Sequence, residues 1–200
     1  MKIIVIGATG TIGREVVKLL APHHQIVNVG SKSGDFRVDI ASKVSIQILF
    51  KDVGSFDAVV CAAGLAKFGG LEALTDEDFA LGLANKLMGQ VNLVRVGASC
   101  IHDGGSFTLT SGVLARLPMP GSSSISLINA GLEGFVRAAA LEMGRGVRVN
   151  IVSPPWIKET MDAMGMDSST GLPAAKVAFA YRESIEGKRN GEVLDPRDFA

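Results

Sequence analysis

The sequence predicts a doubly wound α/β fold, with helices on both faces of one parallel sheet. Three observations carry this. The first thirteen residues, MKIIVIGATGTIG, run from a β-branched apolar stretch at positions 2–6 through glycines 7, 10 and 13 into an amphipathic segment. Buried-strand runs then recur at 57–62 (DAVVCA), 105–111 (GSFTLTS) and 147–152 (VRVNIV), separated by segments of helical period. Finally, 200 residues with 47% apolar content and 24 glycines suit a single α/β domain over 1–200 with a substantial core.

The opening strand, turn and helix are the organising element. Gly7 lets the chain turn sharply, Gly10 lets backbone approach a ligand, and Gly13 lets helix pack against strand. Backbone N–H groups at the new helix N-terminus then face an anion, the physical basis of pyrophosphate binding in dinucleotide folds. The composition argues against other partners. Twenty basic and twenty acidic residues cancel without a block of like charge, so neither nucleic acid nor a membrane surface is expected. The N-terminal apolar run is too short for a signal-peptide core, and no stretch approaches the ~18 apolar residues of a membrane span. A soluble, cytoplasmic protein is expected. Cys61 and Cys100 lack metal-ligand spacing, and His23, His24 and His102 form no site motif.

Residues 11–20 place Ile12, Val16, Val17, Leu19 and Leu20 on one broad helical face, and Pro22 stops the helix. The second strand is 25–30 (QIVNVG). An NAD-preferring site normally has an acidic residue at this strand's end. Here Gly30 is followed by Ser31, Lys32 and Ser33, and a hydroxyl with an ammonium suits a 2′-phosphate, with Arg14 as a possible second cation. NADP(H) is therefore expected over NAD(H), although Asp35 could still serve a ribose. Only residues 31–35 separate this strand from Phe36–Asp39, too few for a parallel crossover. The segment is expected to be irregular or an antiparallel edge, shortening the sheet's usual plan after the second strand, with Val38 to Ile40 flanking the adenine.

Further on, 42–53 reads as a helix, and the strand at 57–62 ends in Ala62-Ala63-Gly64, small residues that leave room for a cofactor. Thr75 to Asp78 is a capping box opening a long helix to Ile101. The strand at 105–111 delivers Thr110 and Ser111 to the crevice where open α/β sheets bind ligands. Ser122 to Ser124 cap a helix through Met143, stopped by Gly144. After the strand at 147–152 come Ser153, Pro154, Pro155 and Trp156, then a covering loop over 158–172 containing Met161, Met164 and Met166. A last helix is expected at 173–187 and a last strand at 192–195.

In this order the motifs resemble the short-chain dehydrogenase/reductase family across essentially the whole chain, which implies a single Rossmann-type domain. GATGTIG is similar to its glycine turn, bringing Gly7, Thr9, Gly10, Thr11, Ile12 and Gly13 to the cofactor. Asp39 and Ile40 lie at its adenine-contacting position. Cys61-Ala62-Ala63-Gly64 resembles the NAAG turn, with Cys for Asn, and Thr110-Ser111 resembles the strand-end serine. VNIVSPPW, residues 149–156, resembles the segment that meets the nicotinamide, implying contacts from Pro154, Trp156 and Ile157.

The resemblance breaks at the proton donor. The family's YxxxK pair supplies a tyrosine acid and a lysine that holds the ribose and lowers the tyrosine's pKa. Aligning AGLEGF, residues 130–135, puts Ile125 at the tyrosine and Asn129 at the lysine. Isoleucine has no titratable proton; asparagine can bond a ribose but carries no charge. The chain's single tyrosine, Tyr181, falls in the last helix, where a packing or surface role is expected. KLMGQVNL resembles the family's NLKGTFNL helix, which puts Lys86 at the asparagine of the proton relay, or Asn85 there after a one-residue shift. Lys86 with Ser111 is the candidate substitute acid, against a bland alternative in which Lys86 snorkels from a helix at a subunit interface.

Two function classes follow. One is an NADP(H)-dependent oxidoreductase acting on a small carbonyl or alcohol. The other is an NADP(H)-binding sensor or scaffold without turnover, favoured by the missing tyrosine and lysine. The two long helices correspond to those the family pairs across a two-fold axis, and Leu81, Leu83, Leu87, Val91, Leu93, Val94 and Val96 exceed what one buried face needs. A homodimer or homotetramer is expected.

Overall fold

The computed structural model describes residues 1–199. Its strands are β1 (Lys2–Ile6), β2 (Gln25–Gly30), β3 (Phe36–Arg37), β4 (Phe56–Cys61), β5 (Ile101–Thr110), β6 (Arg148–Val152) and β7 (Val193–Leu194). Its helices are α1 (Thr11–Leu20), α2 (Lys43–Val53), α3 (Asp76–Gly82), α4 (Met88–Gly97), α5 (Ser123–Glu142), α6 (Lys158–Ala163) and α7 (Ala174–Glu186). All pairings are parallel, in the order β3-β2-β1-β4-β5-β6-β7. The winding direction reverses between β1 and β4, which opens a crevice beyond their carboxyl ends.

Alternation along β1 divides the core into two layers. Ile3 and Val5 pack with Val16 and Leu20 of α1 and with Val177 and Tyr181 of α7. Ile4 and Ile6 point the other way, into a cluster holding Phe50 of α2, Leu93 of α4 and Leu132 of α5. Each such side chain, fully buried, contributes roughly 1.5–3 kcal/mol.

Four expectations need correction. Phe36–Arg37 is neither irregular nor antiparallel: it runs parallel to β2, with Val29 opposite Phe36 and Gly30 opposite Arg37. A two-residue ladder requires the chain to double back only about 7 Å at strand rise, which residues 31–35 manage without a helix. Gly34 makes the bend at φ +122°, where a Cβ would sit 2.6 Å from the Asn28 carbonyl oxygen. Asp35 closes it, donating its N–H to Asn28 O at 2.7 Å and accepting the Asn28 N–H at 2.8 Å.

The helix expected to reach Ile101 is broken. The Thr75/Asp78 capping box forms, but α3 gives way to a π-helical turn at Leu83–Leu87 before α4, which ends at Gly97, and Ile101 begins β5. Gly97 packs against Phe107, so close that a Cβ there would meet the ring at 2.9 Å. Ser122 precedes α5 without capping it: its hydroxyl accepts the Met119 N–H and donates to the Met119 carbonyl, closing the preceding turn. Finally, 158–172 is not all loop. Its first six residues form α6, and Leu172 is pinned back by bonds to Trp156 O and from Lys158 N, with Met161 buried beneath.

Candidate active site

At the glycine turn, Gly7 has φ +83° and donates its N–H to Val29 O at 2.8 Å. A Cβ on Gly7 would lie 2.8 Å from Ala62 O, and one on Gly13 would lie 2.0 Å from Gly7 O. These two glycines are packed shut. Gly10 is different, because a Cβ there meets only Gly7 O, at 3.3 Å, so its backbone faces the open crevice.

That crevice is a cavity of about 330 Å³. Gly7, Thr9, Gly10 and Ser31 wall one end; Val38, Asp39 and Ile40 line one side, and Ala62, Ala63 and Gly64 the other. Val38 and Ile40 are buried, while exposed Asp39 uses Oδ1 to accept the Ala41 N–H at 3.0 Å. An aliphatic slot leading to a helix N-terminus has the polarity that suits an apolar ring at one end and an anion at the other. Thr11, Ile12 and Gly13 form the first turn of α1 behind it. Lys32 and Arg14 are exposed beside it and do not line it; Arg14 lies 3.9 Å from Glu15. Asp35 does not line the slot, and its Oδ2 accepts from the Asn28 backbone N–H and side-chain amide. Asn85 also lines the slot, and its Oδ1 accepts the Leu65 N–H at 2.8 Å.

A second cavity, about 180 Å³, holds Ser111, Lys86 and Asn129, and is walled by Ile125, Pro154 and Trp156. Lys86 sits on the π-helical turn, and its stem crosses Gly64, where a Cβ would meet its Cγ at 2.6 Å. Its Nζ donates to Ser111 O at 3.2 Å. Burial disfavours the charged form and pushes its pKa down to about 8. Asn129 Nδ2 reaches the next carbonyl, Gly112 O, at 3.5 Å, while its buried Oδ1 has no partner among the described residues. Ile157 is buried and immediately precedes α6.

Ser111 is placed at this cavity with its hydroxyl turned inward. Oγ donates to Oε1 of Glu133 at 3.0 Å, and the same oxygen accepts from Ser153 Oγ at 3.1 Å. Glu133 is 3% exposed, with Arg137 3.6 Å from its other oxygen. One buried carboxylate on α5 thus ties together the carboxyl ends of β5 and β6. Sequence reasoning missed it, although the signal existed: Asn129, Leu132, Glu133 and Val136 share one helical stripe. Tyr181 is fully buried, its hydroxyl 2.6 Å from Thr110 Oγ1, and burial raises its pKa. It packs in the core and does not line this cavity.

A family model described as enoyl-(acyl carrier protein) reductase matches residues 8–193. The chain belongs to the short-chain dehydrogenase/reductase family. It is 30% identical over 184 residues to hydroxynaphthalene reductase of Aspergillus fumigatus, covering 88% of this chain and 63% of that protein. It is 29% identical over 178 residues to mouse 3-oxoacyl-[acyl-carrier-protein] reductase, covering 78% and 75%. The chain therefore spans 63% and 75% of these two relatives' length, less than two thirds of the first. Among solved structures, the protein lin1944 from Listeria innocua superposes with a TM-score of 0.94 at 40% identity, covering 98% of both chains. A small-chain dehydrogenase in complex with NADPH superposes at 0.87 with 28% identity, covering 98% of this chain and 95% of that one.

As a short-chain dehydrogenase/reductase, the chain belongs to a family of oxidoreductases that bind nicotinamide cofactors. No helix among the described residues is long and apolar enough to cross a membrane.

Proposed function

We propose that this protein binds NADP(H) in the 330 Å³ crevice and reduces a small carbonyl compound, with Lys86 as the proton donor. The observation that carries the reading is the partly desolvated ammonium of Lys86 beside Ser111, in the cavity adjoining the dinucleotide slot. A bound nicotinamide supplies hydride to the carbonyl carbon. Lys86 supplies the proton to the carbonyl oxygen and is reprotonated from water; with a pKa near 8 it is mostly charged at neutral pH. The unpartnered Oδ1 of Asn129 is the acceptor available for a ribose hydroxyl. The family resemblance assigns a lysine to position 129 and an asparagine to position 86. This chain carries the reverse, so one ammonium and one carboxamide remain with their places exchanged.

Preference for NADP(H) rests on Ser31 and Lys32 at the end of β2, and on the similarity to the NADPH-bound dehydrogenase. Parallel titrations with NADPH and NADH, read by quenching of Trp156, test it. NADPH should bind at least tenfold tighter, and Lys32→Ala should narrow the gap; equal affinity for the two nucleotides refutes the preference. Ile125, apolar where the family has its acid, favours a second reading as a cofactor-binding sensor. Tight NADPH binding with no turnover across a carbonyl panel would establish that reading instead.

Assembly is proposed as a homodimer or homotetramer through the faces of α3, α4 and α5. Leu93 and Val94 are consumed by the chain's own core, but Leu81, Met88 and Leu127 remain 45%, 41% and 52% exposed. Sedimentation as a monomer at micromolar concentration would refute it.

A further inference from the structure

Beside the 180 Å³ cavity lies another, about 260 Å³, lined by Val113, Arg116, Leu117 and Arg197. Val113 belongs to the walls of both. It starts a short 3-10 turn, Val113–Ala115, anchored by its N–H to Pro154 O at 2.9 Å. One side of this turn therefore faces Lys86 and Trp156, and the other faces two guanidinium groups.

The two arginines are held differently. Arg197 is clamped to Asp195, which accepts its backbone N–H at 3.0 Å and its Nε at 2.9 Å. The Arg197 hydrogen bond holds the Asp195 carboxyl below the usual range, and Arg116 adds to this from across the pocket. Arg116 has no carboxylate within ion-pair distance among the described residues. Asp198 adds a second acidic group beside Arg197, so Arg116 is the guanidinium of this pocket that no carboxylate engages among the described residues. An anion beside Arg116 gains planar guanidinium donors that no carboxylate occupies, the geometry that suits carboxylate and phosphate.

We propose that the substrate is bipartite, with its carbonyl end in the apolar 180 Å³ cavity at Lys86 and an anionic tail, carboxylate or phosphate, held beyond Val113 by Arg116 and Arg197. The proposal rests on the oxidoreductase reading for the carbonyl end and on the arginine pocket for the tail. Leu117, 65% exposed on the rim, gives the intervening methylene chain an apolar surface to cross. A neutral carbonyl compound of the same length reaches only half of the site.

Calorimetric titration tests this without requiring turnover. The probes are 4-oxopentanoate, 5-oxohexanoate and 7-oxooctanoate, each against its methyl ester and against the oxoalkyl phosphate of the same chain length, with and without NADP⁺. At one chain length or more, the acid or the phosphate should bind at least tenfold tighter than the ester. Whichever anion gains more identifies the tail. Arg116→Gln should abolish that preference and leave ester affinity unchanged. Equal affinity of anion and ester in the wild type, a preference surviving Arg116→Gln, or no binding of any probe would each overturn the proposal. The heat of NADP⁺ binding reports separately on the cofactor reading: its absence with the anion preference intact would sink that reading and leave the arginine pocket standing.

Discussion

The side-chain amide of Gln90 is bonded at both ends to the main chain of Thr110, accepting its N–H at 2.8 Å and donating to its carbonyl at 2.9 Å. Both residues are buried. The amide stands in for a neighbouring strand and fastens α4 to the end of β5, one residue before Ser111 and one helical turn beyond Lys86. Gln90→Leu keeps the volume but leaves two buried backbone groups unpaired. The expected loss is about 3 kcal/mol, measured as a lower urea midpoint with unchanged slope.

Gly10 and Gly13 separate binding from folding. Gly13→Ala drives a methyl into Gly7 O and should prevent the strand and helix from closing, seen as loss of soluble folded protein. Gly10→Ala has only one neighbour, at 3.3 Å, and should fold with a near-normal melting temperature. Its NADPH affinity should fall tenfold or more, because the methyl occupies the path of the dinucleotide. Equal melting losses in the two variants would contradict this division.

Lys86→Met should lower carbonyl reduction at pH 7 by about 10²-fold or more, within the range for losing a general acid, while leaving NADPH affinity intact. The wild-type rate should fall as pH rises through about 8, where the ammonium loses its proton, and the variant's residual rate should lack that fall. Stability carries the opposite sign. The folded pKa lies below the ordinary 10.5, so between about 8 and 10.5 the unfolded chain binds more protons and the Lys86 contribution to stability rises with pH. The methionine variant should lose that rise in a pH series of thermal melts.

Tyr181→Phe removes a hydroxyl that bonds Thr110 Oγ1 in the core. About 1 kcal/mol of stability should go with it, read by chemical denaturation, while turnover and nucleotide affinity stay unchanged. A substantial kinetic loss would mean that this tyrosine communicates with the crevice.

The parts of the fold legible in the sequence are those set by local periodicity. β1, α1 and β2 fall where apolar spacing and Pro22 put them, and Thr75 with Asp78 forms its box. β3 was not legible, because ladder direction depends on how far the chain must travel, and a two-residue ladder escapes the crossover rule. The π-helical turn adds a residue without changing composition, so an unbroken helical pattern conceals it. Within the site, the glycines and the small residues after β4 announce themselves through the space they leave. Glu133 shows only as a polar residue within a buried helical stripe, and neither it nor Gln90 names its partners, which arrive from strand ends 20 or 22 residues away. The orientation of Ser111 follows from Glu133 and was hidden with it.

The π-helical turn at Leu83–Leu87 makes the candidate proton donor a matter of phase. An α-helix advances roughly 100° per residue, so removing one residue from this turn would let α3 and α4 merge into a regular helix of nearly the same length. The hydrophobic stripe of α4 would keep its register on the sheet, while everything upstream rotated by that angle. Loss of Leu87 would thus turn the Lys86 ammonium away from Ser111, whereas loss of Leu83, Ala84 or Asn85 would leave its phase to α4 unchanged.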